Sequence, residues 1–391
     1  MARTQTRPAT GAPRRDRPTA RSTSRPVLPR ARYPRGAAAP VLVEVRRGGI
    51  VESRHRGHVV QVDVGGRAEE GIGDPDVLTS LRSAVKPFAV AALVEAGGAE
   101  DHKLTDSELA VMSASHTGED AHVRTLQAVL RRAGLSQTLI ACGAADAPVD
   151  PLTRARLARE GEAPGPIRHM CSGFHVASLL LARLGGHSLT DYWLPDHPSQ
   201  VAAAEVVARI FATRRAALIT AVDNCGVLTY AFPLAQIARA FCLLADPAGA
   251  ADRAQAPLIP ALTRIRDAMI AAPEMVGGSR GSSDTMLMRA RPGLLVSKGG
   301  AEGLRGIGLL ARARGPDGAA AGVAIKIEDG DGHGRANRSV SVEALSQLGV
   351  LDQAALDRLN EVHRPPSRDP RGVEIGAAVP VFTLAPLSEL G

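Results

Sequence analysis

The chain is nearly devoid of lysine: Lys86, Lys103, Lys298 and Lys326 stand against forty-three arginines in 391 residues. Guanidinium stays protonated in proteins whereas a buried ammonium can lose its proton, so the few lysines mark places where arginine would not serve. Aromatic residues make up 3%, which leaves few platforms on which nucleic-acid bases could stack. No run of eighteen apolar residues occurs, so no membrane-spanning helix is expected. Four cysteines, Cys142, Cys171, Cys225 and Cys242, are too few for a disulfide framework in a chain of this length, and a cytoplasmic enzyme is the default expectation.

Positive charge is abundant only at one end. The net charge is +7, but the first forty residues hold ten Arg and one Asp, so the remainder nets −2. A folded surface with that balance offers no basic face for DNA or RNA. Residues 1–39, rich in Arg, Pro, Thr and Ala and without apolar periodicity, are expected to form a disordered tail: a solvated extension, a start-site artefact or a polyanion-binding arm. Arg14 and Arg15 form a twin-arginine pair, but the apolar segment that export needs does not follow. Residues 40–391 are expected to form the catalytic domain, with 45% of the whole chain apolar and able to supply a large core.

Ser83-Ala-Val-Lys86 is a Ser-x-x-Lys, the spacing in which an amine can deprotonate a neighbouring hydroxyl. Pro87 is tolerated only in a first helical turn, so with the apolar stretch Phe88–Val94 it sets a helix start close to Ser83. That places Ser83 and Lys86 on one face, beside free amides and a positive dipole end suited to an oxyanion. The bland alternative for so short a pattern is a solvated helix lysine. Lys298 also follows an apolar run, Leu294–Val296, and precedes Gly299 and Gly300.

Alternation predicts strands over Val41–Val45 and His58–Val64. Thr105 and Glu108 fit a capping box opening a short helix that delivers Ser113–His116 at its end. Helical periodicity recurs over 119–133, 175–184, 199–212, 233–244 and 258–271, strand-like runs over 292–298, 304–311 and 321–327, and helices again near 342–349 and 353–361. The expectation is a sheet built from both ends of the chain around a helical middle. Gly277–Gly281 matches G-x-S-x-G, but a helix precedes it where a nucleophile elbow needs a strand. Asp329, Asp331 and His333 resemble the start of a calcium loop, but Val340 occupies the twelfth position where Glu is required, and a turn between strands is the expectation.

With these residues in place, the chain resembles the Rhizobium etli-type L-asparaginases over about residues 43–390. The resemblance rests on the segments RGGIVE from Arg47, RSAVKP from Arg82, ASHTGED from Ala114, CSGFH from Cys171, LPDHP from Leu194, AFPL from Ala231, PEMV from Pro273, TMLMR from Thr285, SKGG from Ser297 and KIEDG from Lys326. It implies an α/β sandwich similar to serine β-lactamases and glutaminases, with a central, mainly antiparallel sheet, flanking helices and a helical region. It further implies hydrolysis of L-asparagine to aspartate and ammonia, no required cofactor, and a homodimer. Two Ser-Lys pairs are implied, Ser83 with Lys86 and Ser115 with Lys298; Arg82, His116 and Asp223 fall on substrate-binding positions, and Cys171 and Cys225 on a site that can hold zinc. Two departures stand out. Phe174 replaces a lysine of that metal site, leaving His175 as the donor that could complete a Cys2His set. Ser283 and Asp284 stand where the family tends to have an aromatic residue and a cysteine, which leaves a related amide, β-lactam or ester substrate, or amino-acid binding without hydrolysis, as alternatives.

Overall fold

A computed structural model describes residues 38–389. The tail expected over 1–39 therefore lies outside the described residues except at its end, where Ala39 is buried and its carbonyl accepts a 2.7 Å hydrogen bond from Arg56 Nη1.

Twelve strands follow in chain order among the described residues. The first four are β1 (Val41–Arg47), β2 (Ile50–Val62), β3 (Ala68–Ile72) and β4 (Leu78–Ser80); β5 (Ile219–Val222) and β6 (Leu228–Pro233) come next. The last six are β7 (Leu295–Gly299), β8 (Leu304–Leu309), β9 (Ala321–Ile327), β10 (Pro366–Arg368), β11 (Glu374–Pro380) and β12 (Ala385–Pro386). The large sheet runs β10-β11-β1-β2-β9-β8-β7, with β3 branching from β2 and pairing β12. Each pairing in it is antiparallel. Strands from the two chain ends thus lie side by side, β2 against β9 with Val59 opposite Ile325. A second antiparallel sheet, β4-β6-β5, interrupts the helical middle. It was not expected from sequence, because β4 and β5 are only three and four residues long and β5 is largely exposed.

The helices used below are α1 (Lys86–Glu95), α2 (Asp106–Met112), α3 (Asp120–Arg132), α4 (Ser172–Leu184), α5 (Pro198–Ile210), α6 (Leu234–Ala245), α7 (Ile259–Ala271), α8 (Ser283–Ala290) and α9 (Ala336–Gln347). Helix α1 is apolar on all sides and buried from Lys86 to Val94, as a helix enclosed by others must be. Its neighbours are α4, α5 and α7. The scarce aromatic residues concentrate there: Phe88 meets Phe241 and Phe211 edge-on at 5.1 and 5.8 Å, and Phe211 stacks on Phe232. Helix α6 lies directly on the sheet. A Cβ at Gly322 of β9 would sit 1.9 Å from the Ala238 carbonyl, so only glycine permits this approach.

The capping box forms as expected, with Glu108 N donating to Thr105 Oγ1 and Thr105 N to Glu108 Oε2. The 329–333 segment is a turn between β9 and α9, not between strands: Asp331 accepts from the amides of Arg335, Ala336 and Asn337 and caps α9. Gly277–Gly281 lies between two helices, Pro273–Gly277 and α8.

Candidate active site

Ser83 lies in a single 3-10 turn, Arg82–Val85, that joins β4 to α1. Arg82 has φ +46°, a left-handed conformation that a long side chain adopts only under constraint. The constraint is visible: Arg82 Nε donates to Asp223 Oδ1 at 2.6 Å, and Asp223 sits in the turn between β5 and β6, where Gly226 N donates back to its carbonyl. The short second sheet therefore fixes the residue before Ser83. Ser83 itself is half-buried, and its hydroxyl makes no hydrogen bond among the described residues.

Lys86 opens α1, and its side chain runs inward rather than toward Ser83. Its Nζ donates to Ala114 O at 2.8 Å, Ser115 Oγ at 3.3 Å and Cys171 Sγ at 3.2 Å. Lys298, on β7 and fully buried, donates to Ser115 Oγ at 2.9 Å and Gly299 O at 2.6 Å. Ser115 Oγ is thus held between two buried amines. Burial pushes Lys298 down to about 7, against Asp284, which raises it.

Helix α2 delivers Ser115 as its capping box predicts, and the Ser115 amide donates to Val276 O at 3.1 Å. His116, next in line, is fully buried and neutral, because burial and the neighbouring His122 and Lys86 hold it well below the usual imidazole range. Gly118 N donates to its Nδ1, so the ring proton is on Nε2 and is given to Ser172 Oγ at 2.9 Å. Both ring nitrogens are occupied by protein, so His116 braces the 114–118 segment.

Cys171 and Cys225 are both buried and hydrogen-bonded to each other. The Cys225 contact, Lys86 and His169 hold Cys171 well below an ordinary thiol, while Cys225 is pushed up. His175 turns its Nδ1 to Tyr192 OH at 2.7 Å, and burial lowers it to about 4. Its Nε2 is buried without a partner. Even so, no three His, Cys, Asp or Glu side chains among the described residues assemble with metal-holding spacing. Phe174, at the departed position, is buried in the core. The donor set does not fit zinc here, and no step below uses one.

Sequence reading marked Asp284 as a departure from the family that bears on substrate choice, but not as a partner of Lys298. On α8 and buried, it accepts from Ser297 Oγ at 2.7 Å and Gly299 N at 3.0 Å, pairs with Arg305 Nη1, and lies 3.9 Å from Lys298 Nζ. Arg305 continues to Asn337 Oδ1 at 2.9 Å. These partners are joined only by sheet pairing and helix packing, so local spacing carries no signal for them.

A family model described as L-asparaginase II matches residues 43–380. Curated proteins gave no match. Similar solved structures include three crystal structures of Mglu. One is 16% identical, covering 77% of this chain and 69% of that one with a TM-score of 0.34. A second, in its glutamate form, is 15% identical, covering 76% and 62% with a TM-score of 0.33. The third, in its Tris and glutamate form, is 16% identical, covering 82% and 66% with a TM-score of 0.34. The chain spans about two thirds of the length of these proteins.

Proposed function

We propose that this chain, which belongs to the L-asparaginase II family, hydrolyses the side-chain amide of L-asparagine through a serine acyl-enzyme. The observation that carries the reading is Ser115 Oγ, at 2.9 Å from one buried lysine amine and 3.3 Å from another. Ser83 is the attacking hydroxyl. It is accessible, free of competing hydrogen bonds, and presented by the strained Arg82. Its proton is taken by neutral Lys298, the amine lowered to about 7, through Ser115, a relay that requires substrate binding to bring the Ser83 hydroxyl, unpaired in the free site, within reach of Ser115. Lys86 Nζ meets three acceptors and holds Ala114 and Ser115 in place. Lys298 then returns its proton along the same path to the departing amine, which leaves as ammonia, and water releases aspartate by the reverse route. Arg82 meets the substrate α-carboxylate, and Asp223 Oδ2 meets the α-ammonium, since Arg82 takes Oδ1.

A second reading makes Ser115 the nucleophile, favoured by its two direct amine contacts and the absence of a Ser83 to Lys86 bond. Trapping the acyl-enzyme and mapping the modified peptide separates the two. The substrate is tested by comparing ammonia release from L-asparagine, L-glutamine and a chromogenic β-lactam. Preference for either of the latter would replace the asparaginase reading with that of a related amide hydrolase.

A further inference from the structure

Lys298 is gripped from both sides in the chain. Ser297 Oγ donates to Asp284 Oδ1 at 2.7 Å and Gly299 N donates to Asp284 Oδ2 at 3.0 Å, so one carboxylate ties down the residue before the amine and the residue after it. The same carboxylate lies 3.9 Å from Lys298 Nζ and pairs with Arg305 across β8. Arg305 is itself locked by Asn337 and reaches Ser297 Oγ at 3.2 Å. The charged groups acting on Lys298 are Lys86 on α1, Arg305 on β8, Cys171 ahead of α4 and Asp284 on α8. Asp284 is the carboxylate among them, and it faces one cation, Arg305, besides the amine it serves.

We propose that Asp284 is a positioning residue for the reaction: by clamping Ser297 and Gly299 it delivers Lys298 Nζ to Ser115, and with Arg305 it balances the charge beside that amine. The catalytic use of this balance rests on the Ser-Lys reading above; the clamp itself does not. Without Asp284 the amine would meet burial, Lys86 and Arg305 with only Cys171 acting the other way, and would lose its proton at lower pH, becoming a weaker base. An amine paired to Asp284 without Arg305 would hold its proton too tightly. The two neighbours therefore act on Lys298 with opposite sign, and Asp284, held ionised by Arg305, Lys298, Gly299 N and Ser297 despite its burial, is the member whose charge faces the amine.

Four lysines make the test clean. In protein labelled with 15Nζ-lysine, Lys298 is assigned by its absence in Lys298→Arg and followed through a pH titration without any substrate. Asp284→Asn, which keeps an oxygen acceptor but loses the charge, should move the Lys298 midpoint down by about one pH unit or more. Arg305→Gln should move it up. Because the two shifts are opposite, either variant alone decides the question if the other fails to fold. Midpoints that stay at the wild-type value, or move in the same direction in both variants, overturn the proposal. In activity assays the acid limb of kcat/KM in Asp284→Asn should follow the NMR midpoint, whereas a purely structural role would lower kcat and leave the limb in place. Absence of amide hydrolysis in wild type would sink the functional reading while leaving the titration result intact, so the two failures are distinct.

Discussion

Lys298 and Ser115 are 183 residues apart in sequence and meet at 2.9 Å, Nζ to Oγ, at the junction of sheet and helices. β7 brings the amine from the sheet, and α2 releases the serine from the helical side, so neither half of the molecule holds the pair alone. Lys86 completes the arrangement from α1.

Removing either hydroxyl or either amine should stop turnover. Ser83→Ala, Ser115→Ala, Lys86→Ala and Lys298→Ala are each expected to lower kcat/KM for asparagine by about 10³-fold or more, since such groups work as a unit. Lys298→Arg should be equally inactive, because guanidinium cannot take the proton. Circular dichroism confirms folding in each case; an active Lys298→Arg enzyme would remove Lys298 as base.

The pH profile follows from Lys298. The neutral amine is the working form, and burial sets its midpoint at about 7. kcat/KM should therefore rise with pH through about 7 and level off above it, and a profile flat from pH 5 to 8 would contradict the assignment.

Stability should move the other way when that amine is removed. The folded midpoint of Lys298 is depressed from the ordinary 10.5 to about 7, so the unfolded chain binds more protons between those values and wild-type stability rises with pH across the window. Lys298→Met lacks this dependence. Its melting temperature should exceed wild type at pH 7, and the gap should narrow toward pH 10.

Position 174 carries a separate test. With Phe174 buried and no metal-holding trio among the described residues, activity should survive chelator treatment, and purified protein should hold substoichiometric zinc by elemental analysis. Phe174→Lys would place an ammonium in that apolar setting, and a lowered melting temperature is expected unless zinc binding compensates. Stoichiometric, chelator-sensitive zinc in wild type would overturn this view.

Deleting residues 1–37 should leave melting temperature and asparagine turnover unchanged, because the buried core of the described region contains its own sheet and helices from Val41 onward. Loss of fold on truncation would move the domain boundary.

Much of this was legible in sequence where the signal is local. The Thr105–Glu108 capping box, Pro87 in the first turn of α1 and the long periodic helices such as α4 and α6 depend on neighbours a few residues away, and each appears in place. Lysine scarcity singled out Lys86 and Lys298 through chemistry rather than structure. The Ser83 to Lys86 spacing suggested a direct pair, yet Lys86 finds three acceptors deeper in the fold, because side-chain direction is decided by packing and not by spacing. Arg305, and the contacts of Asp284 with it and with Lys298, were silent for the same reason: their partners lie on other strands and helices, so Asp284 showed only as a departure from the family. β5 was missed because it is four residues long and largely exposed, and β6 with it because it runs directly into α6, although together they position Asp223 against Arg82.

The most direct test is to mix the enzyme with L-asparagine, quench within a turnover, and measure ammonia together with the mass of the active-site peptide. The account predicts one ammonia per site and an aspartyl adduct on Ser83, abolished in Ser83→Ala. Ammonia release with no adduct on either Ser83 or Ser115, or no ammonia from asparagine or glutamine, would contradict it.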